Sequence, residues 1–331
     1  YAPESIEHLA DGAGIRGHLQ KSVKNKLLAC ALVLAEAAAI LRHSRDKEYI
    51  NSHWLVPSGL LVSLLAGKKN HVITAHAADY DLLRKMPAGD RLIRLMAKPA
   101  RAIVCAGSRL AEGIGKTAPH AKVLTRPMGV DTSCFAFSEE KRKSWRETLE
   151  VGDEPVVLFV GKLSAKKGVD VLIRAMSLLH KKGVVPRLVI AGTGALEHEL
   201  KSLAEREGVL DKTVFLGPVP NEEIAGLYSA ADAMAVPSVE DPAGESEGMP
   251  VVILEALAAG RPVVASRLCS VPPELKSRGV LEVKDKDASE LASCIEEALA
   301  GNVKVDLEAV KEFDVREVAR LYRDLLLEGE S

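Results

Sequence analysis

Glu247 and Glu255 bracket a stretch, EGMPVVILEALAAG over 247–260, whose residue types could hold a phosphorylated, hydroxyl-rich ligand. Gly248 gives a turn, and Pro250 suits a first helical position, where its missing N–H is no loss. Val251 to Ala259 is apolar and helix-forming except at Glu255, and Gly260 followed by Pro262 marks the stop. The N-terminus of such a helix gathers unpaired N–H groups and partial positive charge, and Met249, Val251 and Val252 would present theirs to a phosphate. A carboxylate in an otherwise apolar helix is costly unless a polar group meets it. Ribose or sugar hydroxyls would serve. So would a neighbouring loop capped by Glu255 in a plain core helix, and the residues alone leave both readings open.

Lys162 and Lys167 flank the segment after an apolar strand at 156–160. Open α/β sheets bind ligands at the carboxyl ends of their strands. Two cations there can neutralise a diphosphate and stabilise the charge that builds as it leaves, although a lone basic loop is as readily a solvated one. Gly192 and Gly194 form a turn after the next strand, which allows close approach to a ligand or serves as a tight turn only. His53 and His76 each end a strand, where a histidine is also often structural. No metal site is expected, because lysines and helix N–H groups can balance the phosphates instead.

The elements that must position these groups follow the hydrophobic rhythm. Strands are predicted at 49–53, 71–76, 101–108 and 122–130, with a helix from Pro57-Ser58-Gly59 to about Ala66. Short apolar strands alternating with helices mean doubly wound parallel α/β sheets. Residues 1–137 form one domain, the charged stretch 138–154 reads as an irregular linker, and 155–313 form a second domain. A final helix from Val315 to Leu327 lies within 314–331. The apolar run Leu27 to Leu41, interrupted by Glu36, is too short to span a bilayer. It reads as a buried domain helix. Its flanks at Lys21, Lys24, Lys26, Arg42 and Arg45 also suit a helix lying on a membrane surface.

Composition excludes other classes. At 331 residues and 47% apolar content the chain can bury two cores. Aromatics at 4% argue against a stacking platform for single-stranded nucleic acid, so no nucleic-acid partner is expected. Five cysteines without paired spacing point to a reducing, cytoplasmic setting. Residues 1–135 carry 19 Lys and Arg against 11 Asp and Glu, and the remainder carries 25 against 35. A basic first half suits an anionic acceptor or an anionic membrane surface there, or is ordinary surface variation between domains.

In order and spacing these motifs resemble family 4 retaining glycosyltransferases (glycosyltransferases group 1). The segments that carry the likeness are VVLFVGKLSAKKGVDVLIRAM (156–176), RLVIAGTGALEHEL (187–200), VFLGPVPNEEIAGLYSAADAMAVPS (214–238), the glutamate pair, and RPVVAS (261–266). The resemblance implies two Rossmann-like domains facing a cleft, the glycosyltransferase B-type fold, with the last helix crossing back to the first domain. It implies transfer from a nucleotide-diphosphate sugar to a sugar or lipid-linked acceptor, with no cofactor. Glu255 would bind the ribose, Glu247 the transferred sugar, and Lys162 and Lys167 the diphosphate. HAADY (76–80) resembles a histidine-glycine-x-aspartate motif with Ala77 in place of the glycine. His76 would then contact the transferred sugar or support the charged transition state. Asp79 would orient it or bind the acceptor, beside His53. RPMGVD (126–131) resembles an asparagine-glycine-valine-aspartate turn, with Met128 in place of the asparagine. Against the family pattern the chain begins late and its N-terminal domain is incomplete. A non-catalytic nucleotide-sugar-binding remnant therefore stands as an alternative, and a nucleotide-sugar epimerase of the same fold as a second.

Overall fold

The computed structural model describes residues 23–67, 70–240 and 247–327. Lys21 and the start of the first domain lie outside the described residues. The chain divides into two compact units, Tyr1–Cys105 with Ala111–Leu124 and Tyr322–Ser331, and Ala106–Leu110 with Thr125–Leu321.

The first unit runs α1 (Val23–His43), β1 (Tyr49–His53), α2 (Leu60–Leu65), β2 (Asn70–Ala75), α3 (Ala77–Arg84), α4 (Gly89–Ala97), β3 (Ala102–Cys105), α5 (Ser108–Thr117) and β4 (Val123–Thr125). Its sheet has the order β1-β2-β3-β4, with β2 paired in parallel to β1 and β3. Val72, Ile73, Ala75, Ile103 and Val104 are fully buried, as expected of parallel strands covered on both faces. The expected burial of α1 does not hold. Only Asn25 and Leu28 are buried there, while Val23, Leu27, Leu34 and Leu41 are exposed. A long apolar run alone cannot tell a buried helix from one whose outer face is also apolar, and here the run continues around the helix.

The second unit holds α6 (Glu139–Thr148), β5 (Val156–Val160), α7 (Val169–Lys181), β6 (Arg187–Ala191), α8 (Glu197–Arg206), β7 (Thr213–Gly217), α9 (Asn221–Ala230), β8 (Ala233–Val236), α10 (Val251–Ala258), β9 (Val263–Ser266), β10 (Val280–Val283), α11 (Ala288–Leu299) and α12 (Leu307–Lys311). The last helix, α13 (Val315–Leu327), begins in this unit and ends in the first. There the Tyr322 hydroxyl lies 2.9 Å from Thr74 Oγ1.

The six strands of the second unit are parallel in the order β10-β9-β8-β5-β6-β7. Alternation along each strand sorts residues between two cores. Val156, Leu158, Val189, Met234 and Val263 pack with α9, α10 and α12. Val157, Phe159, Leu188, Ile190 and Val264 pack with α7, α8 and α11. The chain lays strands to one side of β5 and then to the other, so the direction of winding reverses between β5 and β8. Crevices form at such a reversal, outside the carboxyl ends of the strands.

Residues 138–154, expected as an irregular linker, contain the helix α6. Ser138 caps it by accepting from the Lys141 N–H at 3.2 Å. Its apolar face is narrow, which hides it from periodicity. Trp145 lies where a Cβ on Gly226 of α9 would approach its ring to 2.6 Å. Arg142 Nη1 donates to the carbonyls of Ser229, Ala230 and Ala231 at 3.0, 3.2 and 3.0 Å, meeting the orphan acceptors and negative end of α9. Asp232 accepts from Arg142 at 2.7 Å, Arg146 at 3.2 Å and the Val156 N–H at 2.8 Å. One carboxylate thus ties α6 to the start of β5.

Candidate active site

The segment 247–260 folds close to expectation, with one shift. Gly248 lies in a bend and Pro250 is the N-cap of α10 rather than its first helical residue. Pro250 has φ −64° and ψ 129°, extended values that keep it outside the helix although its φ would have suited it. Ile253 N–H is taken by the Pro250 carbonyl at 3.1 Å. That leaves the N–H groups of Val251 and Val252 as first-turn donors without an intrahelical acceptor. At the other end Gly260 has φ +69°, its N–H bonds Leu257 O at 2.9 Å, and Arg261 N–H bonds Ala256 O at 2.9 Å. This pair of bonds closes the last turn around a left-handed glycine.

The two glutamates sit in different company. Glu247 Oε1 is 2.6 Å from Lys167 Nζ, and its Oε2 accepts from the buried Ser238 hydroxyl at 3.0 Å. Lys167 comes from the segment after β5 and Ser238 from the one after β8, so the pair bridges the reversal between those strands. Glu255, half-buried on α10, accepts from the Tyr228 hydroxyl at 2.5 Å. Burial pushes the Glu255 carboxyl up, and the Tyr228 bond pulls it back down. The polar partner that an apolar helix demands of Glu255 is therefore a side chain of α9.

The lysine loop is fixed by contacts at both of its ends. Gly168 has φ +65°, and a Cβ there would lie 2.0 Å from Pro237 O. Val239 N–H bonds Lys166 O at 2.9 Å. Gly192 has φ +135°, and a Cβ on it would lie 2.0 Å from Gly161 O; on Gly194 it would lie 2.1 Å from Leu163 O. The glycine turn is thus required by the neighbouring loop of this same unit. Lys162 is exposed on that loop.

In the first unit, His53 Nδ1 and His76 Nε2 lie 3.3 Å apart, with stacked rings at 5.6 Å, and Trp54 approaches His76 at 5.8 Å. One of these two nitrogens must donate and the other accept, so the hydrogen positions of the two rings are coupled. Burial, and then the neighbouring His53, hold His76 below the ordinary histidine range. Asp79 differs from expectation. It is buried, and its oxygens accept from the backbone N–H groups of Leu55 at 2.5 Å, His76 at 3.0 Å and Tyr80 at 2.9 Å. It fixes the backbone of His76 rather than its ring, and it does not offer itself to an acceptor. Burial pushes it up to about 6 despite these bonds. Among the described residues no group of three or more His, Cys, Asp or Glu could hold a metal ion.

Tyr228 and Ser238 escaped sequence reasoning. Each is an ordinary-looking residue within the 214–238 segment, and only the fold brings it to a glutamate from the next one.

Two parallel sheets, of which the six-stranded one is doubly wound and the four-stranded one runs in sequence order among the described residues, place the chain among glycosyltransferase B-type folds. Chain and fold align with the Anabaena protein Alr3699/HepE, solved in complex with UDP-glucose, at a TM-score of 0.71 and 19% identity over 88% of this chain and 81% of that one. Residues 140–312, more than half of the chain, match the model of the family "Glycosyl transferases group 1". The chain belongs to that family. It is 37% identical over 185 residues to a GDP-mannose-dependent alpha-(1-6)-phosphatidylinositol monomannoside mannosyltransferase of Mycolicibacterium smegmatis, covering 55% of this chain and 48% of that protein. It is 34% identical over 176 residues to the putative colanic acid biosynthesis glycosyltransferase WcaL of Escherichia coli, covering 53% and 41%. The chain spans about half the length of these curated relatives.

Proposed function

We propose that this protein is a retaining, metal-independent hexosyltransferase that moves a sugar from a nucleotide-diphosphate sugar to an acceptor hydroxyl in polysaccharide or glycolipid assembly. The observation that carries this reading is the Lys167–Glu247 pair at the β5/β8 reversal, with Glu255 eight residues on along α10. Lys162, Lys167 and the first N–H groups of α10 receive the diphosphate and stabilise it as the leaving group. Their positive charge is what makes a metal dispensable. Glu255 accepts from the ribose hydroxyls, and Glu247 from a hydroxyl of the sugar. His76 and His53 serve the sugar and the acceptor.

Family membership and the glutamate spacing support transfer with retention, in which the departing phosphate helps deprotonate an acceptor held on the same face. Positioning and leaving-group stabilisation then account for most of the rate. The names of the relatives, a phosphatidylinositol mannoside transferase and a colanic acid enzyme, support a glycolipid or polysaccharide product.

Titration with UDP, GDP and ADP, each with and without EDTA, tests the donor side. At least one should bind, with an affinity that EDTA leaves unchanged. A folded sample that binds none of them overturns the reading, and a loss with EDTA removes its metal-free part.

We propose further that the acceptor carries phosphate or lies at an anionic membrane surface. The excess of basic residues in 1–135 supports this, as do the exposed apolar side chains of α1 between Lys24, Lys26, Arg42 and Arg45. No helix among the described residues is long and apolar enough to cross a membrane. Co-sedimentation with anionic vesicles should exceed that with neutral ones and fall as salt rises. Equal pelleting with both, or none with either, removes the membrane from the proposal.

A further inference from the structure

Each candidate ligand-binding carboxylate in the second unit is held by a hydroxyl, and the one on Glu255 is the more constrained. Tyr228 is fully buried, with Phe135 edge-on to its ring at 5.6 Å and 73°. Its ring sits in the core shared by α9, α10 and β8, together with Leu227, Ile253 and Leu254. Packing therefore fixes both side-chain torsions, and the hydroxyl has one place to point. It points at Glu255 Oε2, 2.5 Å away. Charge-assisted bonds of this kind are short and strong. Tyr228 is also held protonated by burial and by the neighbouring carboxylate, so it can act only as the donor.

We propose that Tyr228 is the positioning residue for Glu255. It locks one carboxylate oxygen and leaves the other, which has no hydrogen-bond partner among the described residues, as a fixed acceptor for a vicinal diol. This rests on the reading of Glu255 as the ribose-binding residue. Two consequences separate positioning from plain packing. The first is discrimination: a fixed acceptor prefers ribose over a ring lacking those hydroxyls, because the deoxy ligand leaves a half-buried carboxylate unmet. The second is charge. Burial alone would raise the Glu255 carboxyl, and the Tyr228 hydrogen bond opposes that rise. Ribose binding needs the ionised form, so affinity falls as pH drops through the Glu255 pKa. Removing the hydroxyl raises that pKa further, and the loss then begins at higher pH.

The test is Tyr228→Phe, which deletes one oxygen and keeps the buried ring. Titrations over pH 5 to 8 would use whichever nucleoside diphosphate binds, its 2′,3′-dideoxy analogue, and inorganic pyrophosphate. The wild-type protein should prefer the ribo form, and Tyr228→Phe should reduce that preference by about tenfold. The acid limb should move to higher pH, with pyrophosphate affinity unchanged. In a Glu255→Ala background Tyr228→Phe should cost nothing more.

Should the variant not fold, replacing all five tyrosines by 3-fluorotyrosine strengthens the phenol as a donor while keeping its volume. The acid limb should then move to lower pH. An unchanged ribo preference and acid limb in Tyr228→Phe overturn the positioning role while leaving the nucleotide site in place. So does an equal loss of pyrophosphate binding. A wild-type protein that binds no nucleotide overturns both.

Discussion

Glu247→Gln should lower sugar transfer by about 10- to 100-fold while nucleoside diphosphate binding holds or tightens. The lost charge-assisted hydrogen bond to a sugar hydroxyl is worth about 1.5–3 kcal/mol. Binding of the bare nucleotide responds differently because of the partner Glu247 already has. Its Oε1 holds Lys167 Nζ at 2.6 Å, with both side chains largely buried. A diphosphate must draw Lys167 away from that carboxylate, and an amide in its place competes less. Ser238 can still donate to the remaining oxygen, so the segment after β8 keeps its anchor. Steady-state kinetics with calorimetry on the same samples would check this. Equal losses of transfer and of nucleotide affinity would refute the assignment of Glu247 to the sugar.

Asp232→Ala should destabilise the second unit by about 2–4 kcal/mol, a fall in melting temperature of roughly 5–10 °C. The carboxylate is three-quarters buried and accepts from two guanidinium groups and the Val156 N–H. Removing it leaves Arg142 and Arg146 facing each other with only carbonyl acceptors, and one backbone donor at the start of β5 unmet. Asp232→Asn should cost less, since an amide oxygen can still accept. Thermal melts of both variants decide the matter, and a change within 1–2 °C for the alanine variant would mean that Trp145 and the carbonyl contacts of Arg142 hold α6 without the carboxylate.

Strands β5, β6 and β7 of the second unit were legible because each is a short apolar run followed by a glycine turn and a helix. The helix at 251–258 was legible for a related reason: its apolar content, its flanking proline and its terminal glycine agree. Helix α6 was not. Its stability comes from Arg142 and Arg146 reaching Asp232 and the end of α9, some ninety residues away, and such pairings leave no period in the sequence. The exposure of Leu27, Leu34 and Leu41 on α1 was misread because apolar content records a preference for burial, not its achievement.

At the candidate site the residue types were readable and their partners were not. Glu247, Glu255, Lys162 and Lys167 could be picked from type and spacing. That Glu247 would hold Lys167, that Tyr228 would hold Glu255, and that Asp79 would spend its oxygens on backbone depended on contacts across the fold.

The hydrogen-bond ladder between β5 and β6 does not stop where the strands stop. Gly161 N–H bonds Ala191 O at 2.9 Å and Leu163 N–H bonds Thr193 O at 2.9 Å, so the exposed Lys162 stands between two pinned amides. A cation on such a support meets an incoming anion without first searching for its backbone conformation. The loss of chain freedom over 161–163 falls on folding, so a ligand that met Lys162 would not bear that cost again on binding.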